Sequence, residues 1–385
     1  MLSVLLLVYE HRYVVPTAAL VLGTVPHYTV AILWNVLATP FVSKRTWHRV
    51  DETLWGFYQR YVLFVFETVS GVKLRFIGHD ITDTLSRRER VLYISNHQCT
   101  VDWVVADMLA VRQGMLGQIR YMLKSTLLYI PLYGWYFYNH GCVYVRRGGS
   151  FQQEIANRQL GWLASLGDPF WLVIFPEGTR LDASSQRQRQ LSDSYCDKEN
   201  VQRLKHVLAP RARGTAMALQ QLRNSLDAVY DVTIMYSQAR DRTSGQQLNA
   251  PSMFGFVCGP QDNELLVHVE RIAMADVPTD VDAVKTWLHQ RFVIKDRLLQ
   301  QFYCRAYAPI HQQGGALRDD DDDTDYAHVD AQLAFTDTCL AAAVYATALL
   351  PAVCNWTPKL GRFYVGAWLF GTLTGIVWVK IRKGA

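Results

Sequence analysis

Val91-Leu-Tyr-Ile-Ser95 runs straight into Asn96-His97-Gln98-Cys99-Thr100-Val101-Asp102, and Trp171-Leu-Val-Ile-Phe175 runs into Pro176-Glu177-Gly178-Thr179-Arg180. Each is a five-residue apolar run cut short by polar and turn-forming residues. Runs of that length, rich in β-branched and aromatic side chains, read as buried strands. From Asp102 onward the apolar positions recur at helical spacing, so His97 falls at a strand-to-helix junction. Pro176 and Gly178 place a turn at the end of the second strand.

The same reading extends outward. Further strand-like runs occur at Val72–Ile77, Arg120–Leu123, Cys142–Arg146, Val229–Tyr236, Phe254–Cys258 and Leu265–Ala273. Amphipathic helical patterns lie between them, among them Asp102–Val111, Ile155–Leu166 and Val281–Gln300. Strands alternating with helices predict an α/β domain with a mixed sheet, assigned to residues 46–311.

Both ends of the chain read as membrane segments. From Tyr13 to Thr39 only His27 interrupts an apolar stretch that carries Pro16, Gly23 and Pro26 and is followed by Lys44, Arg45 and Arg49. Residues 1–45 are therefore expected to form an uncleaved anchor, as one span or as a kinked, re-entrant hairpin. The basic cluster predicts that the following domain faces the cytosol. Phe335–Val353 and Phe363–Val379 are two more apolar runs, followed by Lys380-Ile-Arg-Lys383, so residues 333–385 read as a hairpin of two spans with a basic tail. Between them, residues 312–332 carry Gln-Gln-Gly-Gly and six aspartates from Asp319 to Asp325, which reads as an acidic flexible linker.

Half of the 385 residues are apolar, and the 11 Trp and 20 Tyr exceed what a soluble domain commonly carries. The formal net charge of +5 understates a basic body, because those six aspartates sit in the linker. A basic body beside apolar segments suits anionic lipid surfaces and phosphate-bearing substrates. No nucleic-acid recognition motif accompanies the charge, so a nucleic-acid partner is not expected. Seven scattered cysteines form neither a disulfide framework nor a CxxC pair. His140, His206, His268 and His289 are isolated, and no metal or cofactor is expected.

The chemistry follows from the residue types. Five positions on an ideal helix turn two side chains apart, so His97 meets Asp102 only if it lies in the turn before the helix. There the carboxylate fixes the imidazole tautomer, and Nε2 is free to act as a general base. Pro176-Glu177-Gly178 ends a strand and offers backbone N–H groups beside Arg180, a setting suited to a phosphate dianion.

Together the two stretches resemble the H-x4-D and F-P-E-G-T-R signatures of the glycerolipid acyltransferase superfamily. Gly141-Cys-Val-Tyr144-Val145-Arg146-Arg147 resembles its second block, and Ala209-Pro210-Arg211 an element of its larger eukaryotic members. Tyr121-Met-Leu-Lys124 resembles the segment before the second block. The strand Ala228–Tyr236 departs from the usual proline-containing fourth block. Residues 204–211 and 226–233 are similar to the epsilon-type 1-acylglycerol-3-phosphate branch, with the lysocardiolipin branch next.

The resemblance implies an acyltransferase fold between membrane helices, with acyl-CoA and a lysophospholipid, foremost lysophosphatidic acid, as substrates and phosphatidic acid as product. His97 and Asp102 are then catalytic, and Asn96, Lys124, Arg147, Glu177, Gly178, Thr179, Arg180 and Arg211 bind substrate. Cys99 is read as packing. An endoplasmic reticulum or mitochondrial membrane is implied, with the site on the cytosolic side. The rival expectations are a hydrolase using the same His/Asp pair and a lipid-binding protein on the same fold.

Overall fold

A computed structural model describes residues 13–130, 132–145, 153–241, 244–259 and 263–304 throughout, and parts of 318–377. The chain divides into two compact units built from alternating segments, residues 1–70, 114–168 and 333–385 in one and residues 71–113 and 169–332 in the other. These boundaries differ from four consecutive domains, because the segment after residue 113 leaves one unit and the chain returns to it at residue 169.

The second unit carries the sheet that the two opening motifs belong to. Its strands are β1 (Lys73–Gly78), β2 (Val91–Ser95), β3 (Trp171–Ile174), β4 (Ala228–Tyr236), β5 (Glu264–Ala273) and β6 (Ala327–Asp330). They lie in the order β6-β1-β5-β4-β2-β3. β2 is parallel to both β3 and β4, β4 is antiparallel to β5, and β1 is parallel to β5 and antiparallel to β6. The mixed sheet is therefore as expected. Every residue of β2, β3 and β4 is buried, which is why they read as continuous apolar runs rather than alternating ones.

Helices α1 (Ile81–Ser86), α2 (Asp102–Arg112), α3 (Gln186–Glu199), α4 (Ala212–Leu222), α5 (Met253–Cys258) and α6 (Val281–Cys304) surround that sheet. α6 is tied to the middle of β4 by Asp231, which pairs with Arg291 at 2.6 Å and with Lys295. Burial alone would raise the Asp231 carboxyl, but Lys295 and Arg291 outweigh it and hold it below the ordinary range.

Three expectations are corrected. Phe254–Cys258 is helical, because Ser252 caps it by accepting from the Gly255 N–H at 3.0 Å, and an apolar run this short fits either state. The alternating basic and polar residues from Arg187 to Arg213 read as an exposed insertion facing headgroups or solvent, but the stretch opens with α3 and then buries Leu204, Val207, Leu208 and Ala209. The acidic linker holds short strands, of which β6 pairs with the open edge of β1, since backbone groups can complete a ladder whatever the side chains are.

The first unit contains helices Val14–Leu33 and Lys44–Leu63, each of 20 residues. Val14–Leu33 is one continuous helix through Pro26, not a re-entrant hairpin, and a wider turn extends it over Trp34–Ala38. At about 1.5 Å per residue it is long enough to cross a hydrocarbon core, and it is the one described helix both long and apolar enough to do so. The aromatic-rich segment before the second block forms helix Tyr133–His140 between strands Ile119–Lys124 and Val143–Val145. Inside this unit His140 stacks on Trp55 at 3.9 Å, and its Nδ1 lies 2.7 Å from Asp51 Oδ2. Met1 to Arg12 and most of the two C-terminal apolar runs lie outside the described residues.

Candidate active site

Parallel pairing in register brings the two motifs together. Val91 stands opposite Trp171 and Ile94 opposite Ile174, an offset of eighty residues. Continued beyond the strands, that offset sets His97 beside Glu177 and Thr100 beside Arg180. Both meetings occur: the His97 N–H donates to Glu177 Oε1 at 2.8 Å, and the Arg180 guanidinium donates to the Thr100 hydroxyl. The carboxyl ends of adjacent parallel strands are where such sheets display functional groups.

Asp102 is the first residue of α2, so His97 does lie in the turn before the helix. The Asp102 carboxylate is fully buried. Its Oδ2 accepts from His97 Nδ1 at 2.8 Å and from the Gln98 and Cys99 N–H groups at 2.7 and 2.9 Å. Its Oδ1 accepts from the Tyr236 hydroxyl at 2.6 Å. Four donors thus fix one carboxylate at a helix N-terminus, where negative charge is favoured.

The imidazole is fixed from its other sides. The ring stacks on Phe175 with centroids 4.5 Å apart, and the His97 carbonyl accepts from the Leu181 N–H at 2.7 Å. With Nδ1–H given to Asp102, the unprotonated nitrogen is Nε2, on a side chain that keeps 20% of its surface exposed. The arrangement can take a proton from a hydroxyl and return it to a leaving group.

Cys99 is no nucleophile in this setting. Burial pushes its thiol up to about 12, and Sγ–H donates to the Pro251 carbonyl at 2.6 Å. It packs, as its sequence context implies.

Two residues assigned to substrate are part of the frame instead. Asn96 is fully buried, and its amide makes a two-way bridge to Ile234, donating to the carbonyl at 3.0 Å and accepting from the N–H at 2.8 Å. It ties the end of β2 to β4 from inside the core. Glu177 is 4% exposed, with Oε1 on the His97 N–H and Oε2 on the Leu208 N–H at 3.2 Å. Burial pushes its carboxyl up to about 8. It braces the loop that carries His97 and, among the described residues, holds no guanidinium.

The Gly178 backbone has φ +73°, the left-handed region that glycine adopts at least cost, and its N–H donates to Phe175 at 3.0 Å. That N–H is spent on the turn and not free for a phosphate. Thr179 and Arg180 are exposed past the turn. Arg211 sits before α4; its N–H donates to the Pro176 carbonyl at 2.8 Å and its guanidinium covers the Tyr195 ring at 3.9 Å. Lys124 is exposed at the end of its strand in the first unit, and Arg147 lies outside the described residues.

Tyr236, Phe175 and Gln98 were missed from sequence. Tyr236 ends β4, and the only signal for it was its place at the end of a strand adjoining β2. Gln98 accepts from the Tyr303 hydroxyl at 3.2 Å and donates to Ile234, closing the loop from behind. Among the described residues no cluster of His, Cys, Asp or Glu has the makings of a metal site.

Comparison with known proteins agrees with this geometry. Residues 77–237 match the Acyltransferase family model, and residues 255–313 match Acyltransferase C-terminus. The chain is 39% identical over 383 residues to mouse 1-acyl-sn-glycerol-3-phosphate acyltransferase epsilon, covering 99% of this chain and 100% of that protein. It is 31% identical to a probable 1-acyl-sn-glycerol-3-phosphate acyltransferase 5 of Arabidopsis thaliana, over 73% of this chain and 72% of that one. It is 28% identical to zebrafish (Danio rerio) lysocardiolipin acyltransferase 1, over 74% of this chain and 69% of that one.

Proposed function

We propose, since this chain belongs to the acyltransferase family, that it acylates the sn-2 hydroxyl of 1-acyl-sn-glycerol-3-phosphate to give phosphatidic acid. The donor is an acyl-CoA. The observation that carries the reading is the His97 ring, whose Nδ1 meets a carboxylate held by three further donors on a side chain that stays 20% exposed.

His97 Nε2 takes the proton of the acceptor hydroxyl as that oxygen attacks the thioester carbonyl. Asp102 stabilises the imidazolium that forms. The tetrahedral intermediate collapses, the C–S bond breaks, and the imidazolium proton goes to the departing coenzyme A thiolate. A thiolate is a good leaving group, so no acyl-enzyme is needed, in keeping with the inert Cys99. Arg180, exposed past the turn and anchored on Thr100, is the cation we assign to the acceptor phosphate, with Arg211 as a second. Lys124 and Arg147 keep the substrate-binding roles that the family resemblance gives them.

Helix Val14–Leu33, long and apolar enough to span, supports a place at a membrane, where a lysolipid keeps its chain in the bilayer and presents its hydroxyl to a soluble thioester. The basic residues that follow the helix favour the cytosolic leaflet, of the endoplasmic reticulum or of a mitochondrion. No cofactor takes part.

The test is acyl transfer from oleoyl-CoA by the detergent-solubilised chain to lysophosphatidic acid, lysophosphatidylcholine and lysocardiolipin, with His97→Ala alongside. Phosphatidic acid formed only with intact His97 supports both chemistry and acceptor. Preference for another lysolipid overturns the acceptor, and undiminished transfer by folded His97→Ala overturns the mechanism.

A further inference from the structure

The first unit holds a cavity of about 360 Å3 that the acylation reading does not use. It lies where the span-length apolar helix has ended. Asn35 and Thr39 from the turn after that helix line one side, and Lys44 and Trp47 from the first turn of the next helix line another. Asn139, Arg158 and Trp162 complete it.

Its charged side chains share one sign. Asn139 is 7% exposed, and its Nδ2, a donor, has no hydrogen-bond partner. The Trp47 indole N–H, also buried, has none either. Buried donors left unpaired are costly, so they mark a place where an acceptor belongs. Lys44 and Arg158 are exposed on the same cavity, and among the described residues no carboxylate lines it. Donors and cations without a counter-charge fit a phosphate oxygen cluster. Helix Lys44–Leu63 adds the positive end of its dipole. Tryptophan beside the end of an apolar helix marks headgroup depth.

We infer that this cavity binds the phosphate of an anionic phospholipid headgroup, in a role other than acylation. Asn139 and Trp47 would donate to the phosphate oxygens while Lys44 and Arg158 neutralise them. The bound lipid would fix how the following helix stands in its leaflet.

Native mass spectrometry of the full-length chain in neutral detergent tests this, with phosphatidylglycerol as probe, phosphatidylcholine as control and the two variants Lys44→Gln/Arg158→Gln and Asn139→Leu. Wild type and His97→Ala should retain phosphatidylglycerol at least fivefold over phosphatidylcholine. The double variant, both of whose sites are exposed, should lose that preference while its melting temperature and acyl transfer stay at wild-type values. Asn139→Leu should weaken retention by removing the buried donor. Equal retention of both lipids overturns the inference, as does full preference in the double variant. Displacement of phosphatidylglycerol by saturating coenzyme A also overturns it, assigning the cavity to a soluble phosphate ester.

Discussion

Two histidine–carboxylate pairs among the described residues have almost the same length, 2.8 Å for His97 and Asp102 and 2.7 Å for His140 and Asp51. Distance does not separate them; the other nitrogen does. His140 Nε2 meets the Ile119 carbonyl at 3.1 Å, its ring lies flat on Trp55, and no part of it reaches solvent. Burial, with Arg120 nearby, pushes its pKa down to about 4, so it is a neutral, fully spent group that crosslinks three segments. His97 spends one nitrogen and keeps the other. Its carboxylate partner is the crowded one, with four donors against a single one for Asp51, whose Oδ1 is left unpaired. A pair built for chemistry therefore over-determines the carboxylate and leaves the base half free. A pair built for stability does the reverse.

The comparison breaks most visibly at the catalytic carboxylate. Asp102→Asn should lower kcat by about 10²–10⁴-fold while the protein stays folded, because a general base that loses its orienting partner loses most of its worth. A loss under threefold would move the chemistry elsewhere. His140→Ala should do the opposite, costing about 1–3 kcal/mol of stability by leaving the buried Asp51 carboxyl without its donor. Urea unfolding reads this, and kcat per folded molecule should be unchanged. If that variant instead keeps its stability and loses rate, the division of labour between the pairs is wrong.

Two smaller effects sharpen the picture. Tyr236→Phe removes one of four donors to Asp102, worth about 0.5–1.5 kcal/mol, so kcat should fall about two- to tenfold with KM little changed. Glu177→Gln is a pH experiment. The folded pKa of about 8 lies above the ordinary 4.5, so between those values the folded state holds a proton that the unfolded chain has lost. Stability should then fall as pH rises through that window, and Glu177→Gln should flatten the fall. A wild-type melting temperature with no such slope between pH 5 and 8 would mean that Glu177 is ionised in its brace.

Much of the site was legible because its parts are local. The strand–turn–helix around His97 and the strand–turn at Phe175 are written in short apolar runs and turn residues. Asp102 was found because it lies five positions from the histidine. Asn96 and Glu177 were misread for a physical reason: sequence shows that a side chain has polar atoms but not whether they are already taken. Both belong to motifs, yet their partners, Ile234 and Leu208, are backbone groups far along the chain. Tyr236 was invisible on the same grounds, being 134 residues from the carboxylate it supports. Phe254–Cys258 failed differently, since five apolar residues carry too little periodicity to tell helix from strand, and the Ser252 cap decided it.

The eighty-residue offset between β2 and β3 acts as a phase relation. The two loops are set by counting from paired strands, so one residue gained or lost between Ser95 and His97, or between Ile174 and Glu177, would put the imidazole out of step with its brace. The chain from Gly114 to Asp168, which belongs to the other unit, lies wholly inside the interval. Its length has no part in the count. That stretch can change in length without shifting the register of the two short loops, which can change only in concert.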